Sequence, residues 1–252
     1  MLTAERRQAI LDFIQTHRAA KVTQLSGSLG VSVATVRRDL QDLEAQGRLR
    51  RVHGGAMLAA EGEEPPAAQR AVQYAAEKRR IGEAAARLVA DGSTVLITSG
   101  TTTEAMVPYL ADKTGLTVIT NALNIAFLLS RYPHITVVVL GGWLRHSELS
   151  LLGHLTLTAL ADLRADKIFQ GTFALDPERG QEGIYLQEVE TDRALITAAR
   201  ELVVLADSSK FSRVGAVRIV PMAAVSTLVT DTAAPTQAVQ TLRERGITVI
   251  QA

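Results

Sequence analysis

Two periodicities divide the chain. From Glu5 to Ala45 apolar residues recur every three or four positions, the spacing of helices with one buried face. Ile10, Leu11 and Ile14 share a face of a helix over 5–17. Thr23 is placed to cap a short second helix carrying Leu25 and Leu29 and stopping at Gly30. Ser32 is placed to cap a third, in which Val36, Leu40 and Leu43 fall at i, i+4 and i+7 before Gly47. The stretch from Arg48 to Gly55 is too basic and too glycine-terminated for a helix, and its spacing suits a hairpin, or wing. From Val95 onward β-branched runs alternate with helical lengths. Strands are predicted at Val95–Thr98, Thr117–Thr120, Ile135–Leu140, Lys167–Phe173, Leu202–Ala206, Ser226–Thr230 and Ile247–Ile250. Helices are predicted at Ala122–Arg131, Leu155–Leu163, Val189–Ala199 and Thr236–Arg245. This alternation implies an α/β domain whose sheet is mainly parallel and covered on both faces.

The segment around 57–70, MLAAEGEEPPAAQR, has no apolar period and carries Pro65-Pro66 among acidic and small residues, so it reads as a linker. The expected division is a winged helix-turn-helix at 1–57, a linker at 58–75 and an α/β effector-sensing and oligomerisation domain at 76–252. Net charge is only +1, but residues 1–56 carry nine Lys/Arg against five acids, leaving the remainder mildly acidic. A basic head on an acidic body is the charge footprint of a nucleic-acid-binding module joined to something else. The absence of cysteine excludes disulfides and thiolate metal or redox sites. The N-terminus lacks the apolar run of a signal peptide and no stretch is long enough to span a bilayer, so a cytoplasmic protein is expected. No metal site, cofactor or catalytic group is predicted.

With Val36, Leu40 and Leu43 buried, Thr35, Arg37, Arg38 and Gln41 project elsewhere and can reach base edges or phosphates from the major groove. A solvated basic helix would present the same residues.

In the body, Thr98-Ser99-Gly100-Thr101-Thr102-Thr103 follows the strand VLIT and opens a helix at Glu104. Such a turn offers backbone N–H groups and hydroxyls to an anion, phosphate above all. A well-capped helix needs the same residues. The turn is neither a P-loop nor GxGxxG. Other polar residues end strands where ligands bind in open α/β sheets: Asn121, Gly141-Gly142, and Asp207-Ser208-Ser209-Lys210. Lys210 can neutralise a phosphate or polarise a sugar oxygen.

Residues 5–56, and in particular VSVATVRRDLQDLE and GRLRRVHGGA, resemble the head of DeoR-family transcriptional regulators almost end to end. The body resembles that family's sensor domain over roughly 76–231, through SGTTT, VITNALNIA, LGGWLR with Ser150 and Gly153, and VLADSSKF. The resemblance implies a fold related to sugar-phosphate isomerases and CoA transferases. It places Arg37 and Arg38 on the recognition helix and Arg50, Arg51 and His53 in the wing. It assigns Ser99 and the loop Gly100, Thr101, Thr102 and Thr103 to a phosphate, with Asn121, Gly141, Gly142 and Lys210 around a sugar. The implied function is a repressor of sugar or carbon metabolism genes. It would bind double-stranded operator DNA as a homo-oligomer and respond to a phosphorylated sugar or related metabolite.

The chain departs from the family pattern at several points. Gly27 stands in the second helix where a helix former is expected, which should loosen that helix by roughly 1 kcal/mol. Thr98 stands where the family commonly has Asp, removing an acceptor for sugar hydroxyls. Gly180-Gln181-Glu182-Gly183 and Glu188-Val189 replace a GxT-like element and a Glu-Ala pair. The alternative reading is a sugar-phosphate isomerase or deaminase, which needs a carboxylate base near the substrate carbon. No carboxylate adjoins the SGTTT turn, although Glu182 and Glu188 lie in a segment read as a loop able to fold over the site.

Overall fold

The computed structural model describes residues 3–17, 19–45, 49–52, 54–57 and 65–252. They form two compact units, 1–73 and 74–252.

In the first unit, α1 (Thr3–His17), α2 (Val22–Leu29) and α3 (Val33–Ala45) are joined by short connections. Strands β1 (Ala19–Lys21), β2 (Arg50–Val52) and β3 (Gly55–Met57) make an antiparallel sheet in the order β1-β3-β2. A short helix, α4 (Ala67–Ala71), occupies part of the segment read as a linker. The predicted stripes meet in one core: Ile10 and Ile14, Leu25, and Val36, Leu40 and Leu43, closed by Leu49 and Ala56. Strand β1 was not foreseen, being only Ala-Ala-Lys. Nor does Thr23 cap α2. The helix starts at Val22, and Gln24 Oε1 accepts from the Lys21 N–H at 2.9 Å. Ser32 does cap α3, its Oγ accepting from the Thr35 N–H at 3.1 Å.

The second unit opens with α5 (Ala75–Ala86) and continues β4 (Thr94–Ile97), α6 (Thr101–Glu104), β5 (Thr117–Thr120), α7 (Leu123–Leu129) and β6 (Thr136–Val139). A hairpin, β7 (Trp143–Arg145) and β8 (Ser150–Leu152), leads to α8 (His154–Leu160) and β9 (Ala165–Gly171). Next come β10 (Ala174–Asp176), β11 (Gly180–Gly183), α9 (Leu186–Thr197), β12 (Ala199–Leu205) and β13 (Val217–Val220). The chain ends with β14 (Thr227–Thr230), α10 (Thr236–Glu244) and β15 (Thr248–Gln251).

All seven sequence-predicted strands join one parallel sheet, ordered β15-β14-β12-β9-β4-β5-β6. Alternation fills both faces. Val95, Ile97, Val118 and Phe169 pack on α5 and α7 through Ile81, Ala85, Ile125 and Leu129. Leu96, Ile119, Ile168 and Leu228 pack against Leu160, Leu195 and Leu242 of α8, α9 and α10. A second sheet, β10-β11-β13, is antiparallel and follows the C-terminal end of β9. The expected loop around Glu182 and Glu188 is therefore strand β11 and the first turn of α9.

Candidate functional site

On α3 the buried stripe leaves Arg37, Arg38 and Gln41 exposed, while Thr35 is half-buried with its hydroxyl 2.9 Å from Ser32 Oγ. Thr35 is thus engaged in the helix cap. Asp39, on the inner side, is buried and clamped. Arg6 donates to it at 2.5 and 3.2 Å, and Arg7 donates at 3.2 Å while also pairing with Asp42. Burial pushes the Asp39 carboxyl up, but the hydrogen bonds from the two arginines more than offset this and hold it below the usual carboxylate range. Two of the head's cations are therefore structural. Arg51 in β2 is partly engaged too, its guanidinium 3.9 Å from Glu44 Oε2 and its backbone N–H donating to Glu44 Oε1 at 2.7 Å. Among the described residues Arg37 and Arg38 have no ion-pair partner. Arg50 begins β2, and His53 lies outside the described residues.

In the second unit, register aligns the strand ends. Ile97 lies opposite Thr120 and Phe169, so Thr98, Asn121 and Gln170 follow level across three adjacent strands. All are buried. Past Thr98 the chain turns through Gly100, whose φ of 145° favours glycine, into α6. The Thr103 hydroxyl lies 2.8 Å from both the Thr98 and Gly100 carbonyls and locks the turn. The first helical bond runs from the Glu104 N–H to the Gly100 carbonyl at 2.9 Å, so the N–H groups of Thr101, Thr102 and Thr103 precede it and point outward from the helix start. Gly82 lets α5 press on this turn: a Cβ there would meet the Ala105 carbonyl carbon and oxygen at 2.6 Å.

The remaining predicted contacts are spread along the same edge. Asn121 is the nearest, its Nδ2 donating to the Leu151 carbonyl at 3.2 Å while Oδ1 is buried without a hydrogen-bond partner. Lys210, buried in the 3₁₀ turn Ser208–Ser212 after β12, lies two strand spacings from β4, roughly 10 Å, within reach of a long side chain. Gly141 and Gly142, beyond β6, lie four spacings from β12, roughly 19 Å. Their turn packs on the hairpin: the Thr156 hydroxyl donates to the Gly141 carbonyl at 2.6 Å, and a Cβ on Gly142 would meet Leu152 O at 2.5 Å. The SGTTT turn, Asn121 and Lys210 therefore lie within roughly 10 Å along one edge of the sheet, whereas the glycine pair shapes the β7–β8 hairpin.

Comparison with known proteins joins these two sites in one family. A model of the DeoR-like helix-turn-helix domain matches residues 6–61, and one of the DeoR C terminal sensor domain matches residues 73–232. The chain belongs to the DeoR family. It is 33% identical over 245 residues to the HTH-type transcriptional repressor CsqR of Escherichia coli K12, covering 97% of this chain and 94% of that one. To the Glycerol-3-phosphate regulon repressor of the same strain it is 30% identical over 247 residues, 98% of each chain. Ribose 5 phosphate isomerase A from Neisseria gonorrhoeae superposes on 55% of this chain and 53% of its own, with 19% identity and a TM-score of 0.39.

This DeoR-family chain is a transcriptional regulator rather than an enzyme, as its full-length relatives are named repressors. The carboxylates around the sheet edge have structural duties. Glu182 Oε2 accepts from the Gly215 N–H at 2.8 Å and its Oε1 pairs with Arg179 at 3.1 Å. Asp207 accepts from the Ser209 N–H at 3.1 Å, and Asp231 from those of Ser208 and Ala233 at 2.7 and 2.9 Å. Among the described residues no cluster of His, Asp or Glu could hold a metal, and no helix is long and apolar enough to cross a membrane.

Sequence reasoning passed over two polar groups at this edge. Gln170 is buried in the apolar run KIFQG with Oε1 lacking a hydrogen-bond partner. A lone amide in a buried strand was the available signal. Arg145 ends β7, its guanidinium 4.2 Å from the Tyr185 ring centroid and paired with Glu188. The motif LGGWLR contained it, but its partners lie far along the chain.

Proposed function

We propose that this regulator represses genes of sugar or carbon metabolism by binding double-stranded operator DNA through α3 and the β2–β3 wing. A phosphorylated sugar or related metabolite at the C-terminal edge of the main sheet sets its DNA affinity. The SGTTT turn carries this reading. Three buried threonines start a helix under a glycine-shaped bend, with their N–H groups ahead of the first helical bond. Lys210 and Asn121 flank it. The phosphate seats on the turn and the remainder of the ligand extends toward Asn121. A homo-oligomer holds two heads at operator half-sites, and ligand binding favours an arrangement whose spacing no longer fits them. Acting on chromosomal DNA, such a regulator works in the cytoplasm. The relatives' names, a glycerol-3-phosphate regulon repressor among them, support the metabolite class.

The test is operator binding by the full chain, measured with and without glycerol 3-phosphate, ribose 5-phosphate and glucosamine 6-phosphate. At least one should shift operator affinity by about 10-fold or more, a typical allosteric coupling. Thr102→Ala should abolish that shift while leaving ligand-free DNA binding intact. Operator affinity indifferent to every probe, or lost in Thr102→Ala with the fold intact, would overturn the reading.

A further inference from the structure

Arg145 stands out among the buried groups because its hydrogen-bonding capacity is only partly used. One side of its guanidinium pairs with Glu188 and its face lies over Tyr185, yet Nη2 is buried with no hydrogen-bond partner. An unmet donor on a charged group away from water is costly, so such a group commonly marks the place of a bound polar atom.

Its position in the fold says which atom. Arg145 lies opposite Ser150 in the hairpin, and Ser150 bridges to Ala122, the residue after Asn121. The Leu151 N–H donates to the Asn121 carbonyl at 2.7 Å, fixing the hairpin against the strand-end row. Gln170 belongs to the same alternation as Ile168, which packs toward α8, α9 and α10, and Glu188 is in the first turn of α9. Arg145 therefore overhangs the end of the sheet on the face where Gln170 Oε1, like Asn121 Oδ1, is buried without a partner. Two acceptors and one donor wait at one edge, beside a Thr98 hydroxyl whose own bond, to the Ser99 carbonyl, is long at 3.4 Å.

We propose that Arg145 contacts the effector and determines its specificity, donating from Nη2 to an uncharged oxygen (a hydroxyl or carbonyl) of the sugar portion. The proposal rests on the effector reading above and assigns the end of the ligand remote from the phosphate. The uncharged partner follows from the neighbours. Glu188 already neutralises the guanidinium, so a second anion there would face the Glu188 carboxylate with no unpaired positive charge to receive it. A hydroxyl needs only the vacant donor, and it can in turn donate to Asn121 Oδ1 or Gln170 Oε1. The arrangement supplies from the hairpin the hydroxyl recognition that a carboxylate at position 98 would otherwise give.

Calorimetry on the full chain tests this, with glycerol 3-phosphate, ribose 5-phosphate, glucosamine 6-phosphate and inorganic phosphate as probes. Arg145→Lys keeps the charge and the pairing with Glu188 but loses the planar fork. Arg145→Gln provides a second variant should the first fold poorly. The organic phosphate bound best by the unmodified chain should bind about 10-fold or more weakly to both, with inorganic phosphate unchanged. If no organic phosphate binds the unmodified chain, the effector reading falls and the role of Arg145 with it. Tight binding unaffected by either variant removes Arg145 alone. Equal losses for inorganic and organic phosphates would make it a phosphate ligand and overturn the uncharged assignment.

Discussion

Arg37 and Arg38 are the two cations of α3, and the proposed DNA contacts of that helix rest on them. Both are exposed, and neither has an ion-pair partner among the described residues. Each changed to Ala should weaken operator binding by about 1–3 kcal/mol if it reaches a base, with a smaller effect on nonspecific DNA. Band-shift titrations with operator and scrambled duplexes measure the difference; unchanged operator affinity in both variants would remove α3 as the reading helix. Asp192 gives a second residue-scale expectation. Burial pushes its carboxyl up to about 7, with Arg145 opposing the shift. The folded chain thus binds this proton more tightly than the unfolded chain, whose carboxyl keeps the ordinary 3.8. The stability it contributes is full below that ordinary value and is lost as pH rises to about 7. Asp192→Asn should therefore stabilise the chain at pH 8 by about 1–2 kcal/mol, a figure reduced from the full linkage value because the side chain keeps some solvent contact. At pH 5 the gain should be far smaller. Urea unfolding at both pH values measures it, and an equal change at the two would show that the carboxyl's charge is not responsible.

At the scale of elements, legibility followed chemistry. The strands of the main sheet were visible because β-branched residues recur in short runs such as VVV and TVIT, with one face of each meeting α5 and α7 and the other α8, α9 and α10. Strand β11 was not, because Gly-Gln-Glu-Gly has no strand propensity. It is held by side chains whose partners come from elsewhere: Gln181 Nε2 donates to the Gly171 carbonyl at 2.8 Å, and Glu182 is fixed by Gly215 and Arg179. Of the candidate site, the turn and Asn121 were readable as strand ends. Arg145 and Gln170 were not, since their significance depends on a hairpin and a register that local pattern does not specify. Helix α5 was likewise missed, although its Gly82 sets the position of the turn. Gly82→Ala should displace the 101–106 segment, because its new methyl meets backbone rather than a movable side chain. The expected cost is about 1–3 kcal/mol of stability with weakened organic-phosphate binding, read by thermal unfolding and calorimetry. Full stability with unaltered binding would show that the contact yields without consequence.

For the whole molecule, the contrast between a basic head and an acidic body survives folding, but its magnitude does not carry over. Arg6 and Arg7 spend their charge on Asp39 and Asp42, and Arg51 shares Glu44. DNA affinity responds to ions through the counterions that protein cations displace from phosphates, about 0.9 for each contact. Guanidinium groups already neutralised inside the protein displace few. The clamp on Asp39 thus ties α3 to α1 with charges that are unavailable to a duplex, and the proposed DNA binding should withstand rising salt better than the head's formal cation count implies.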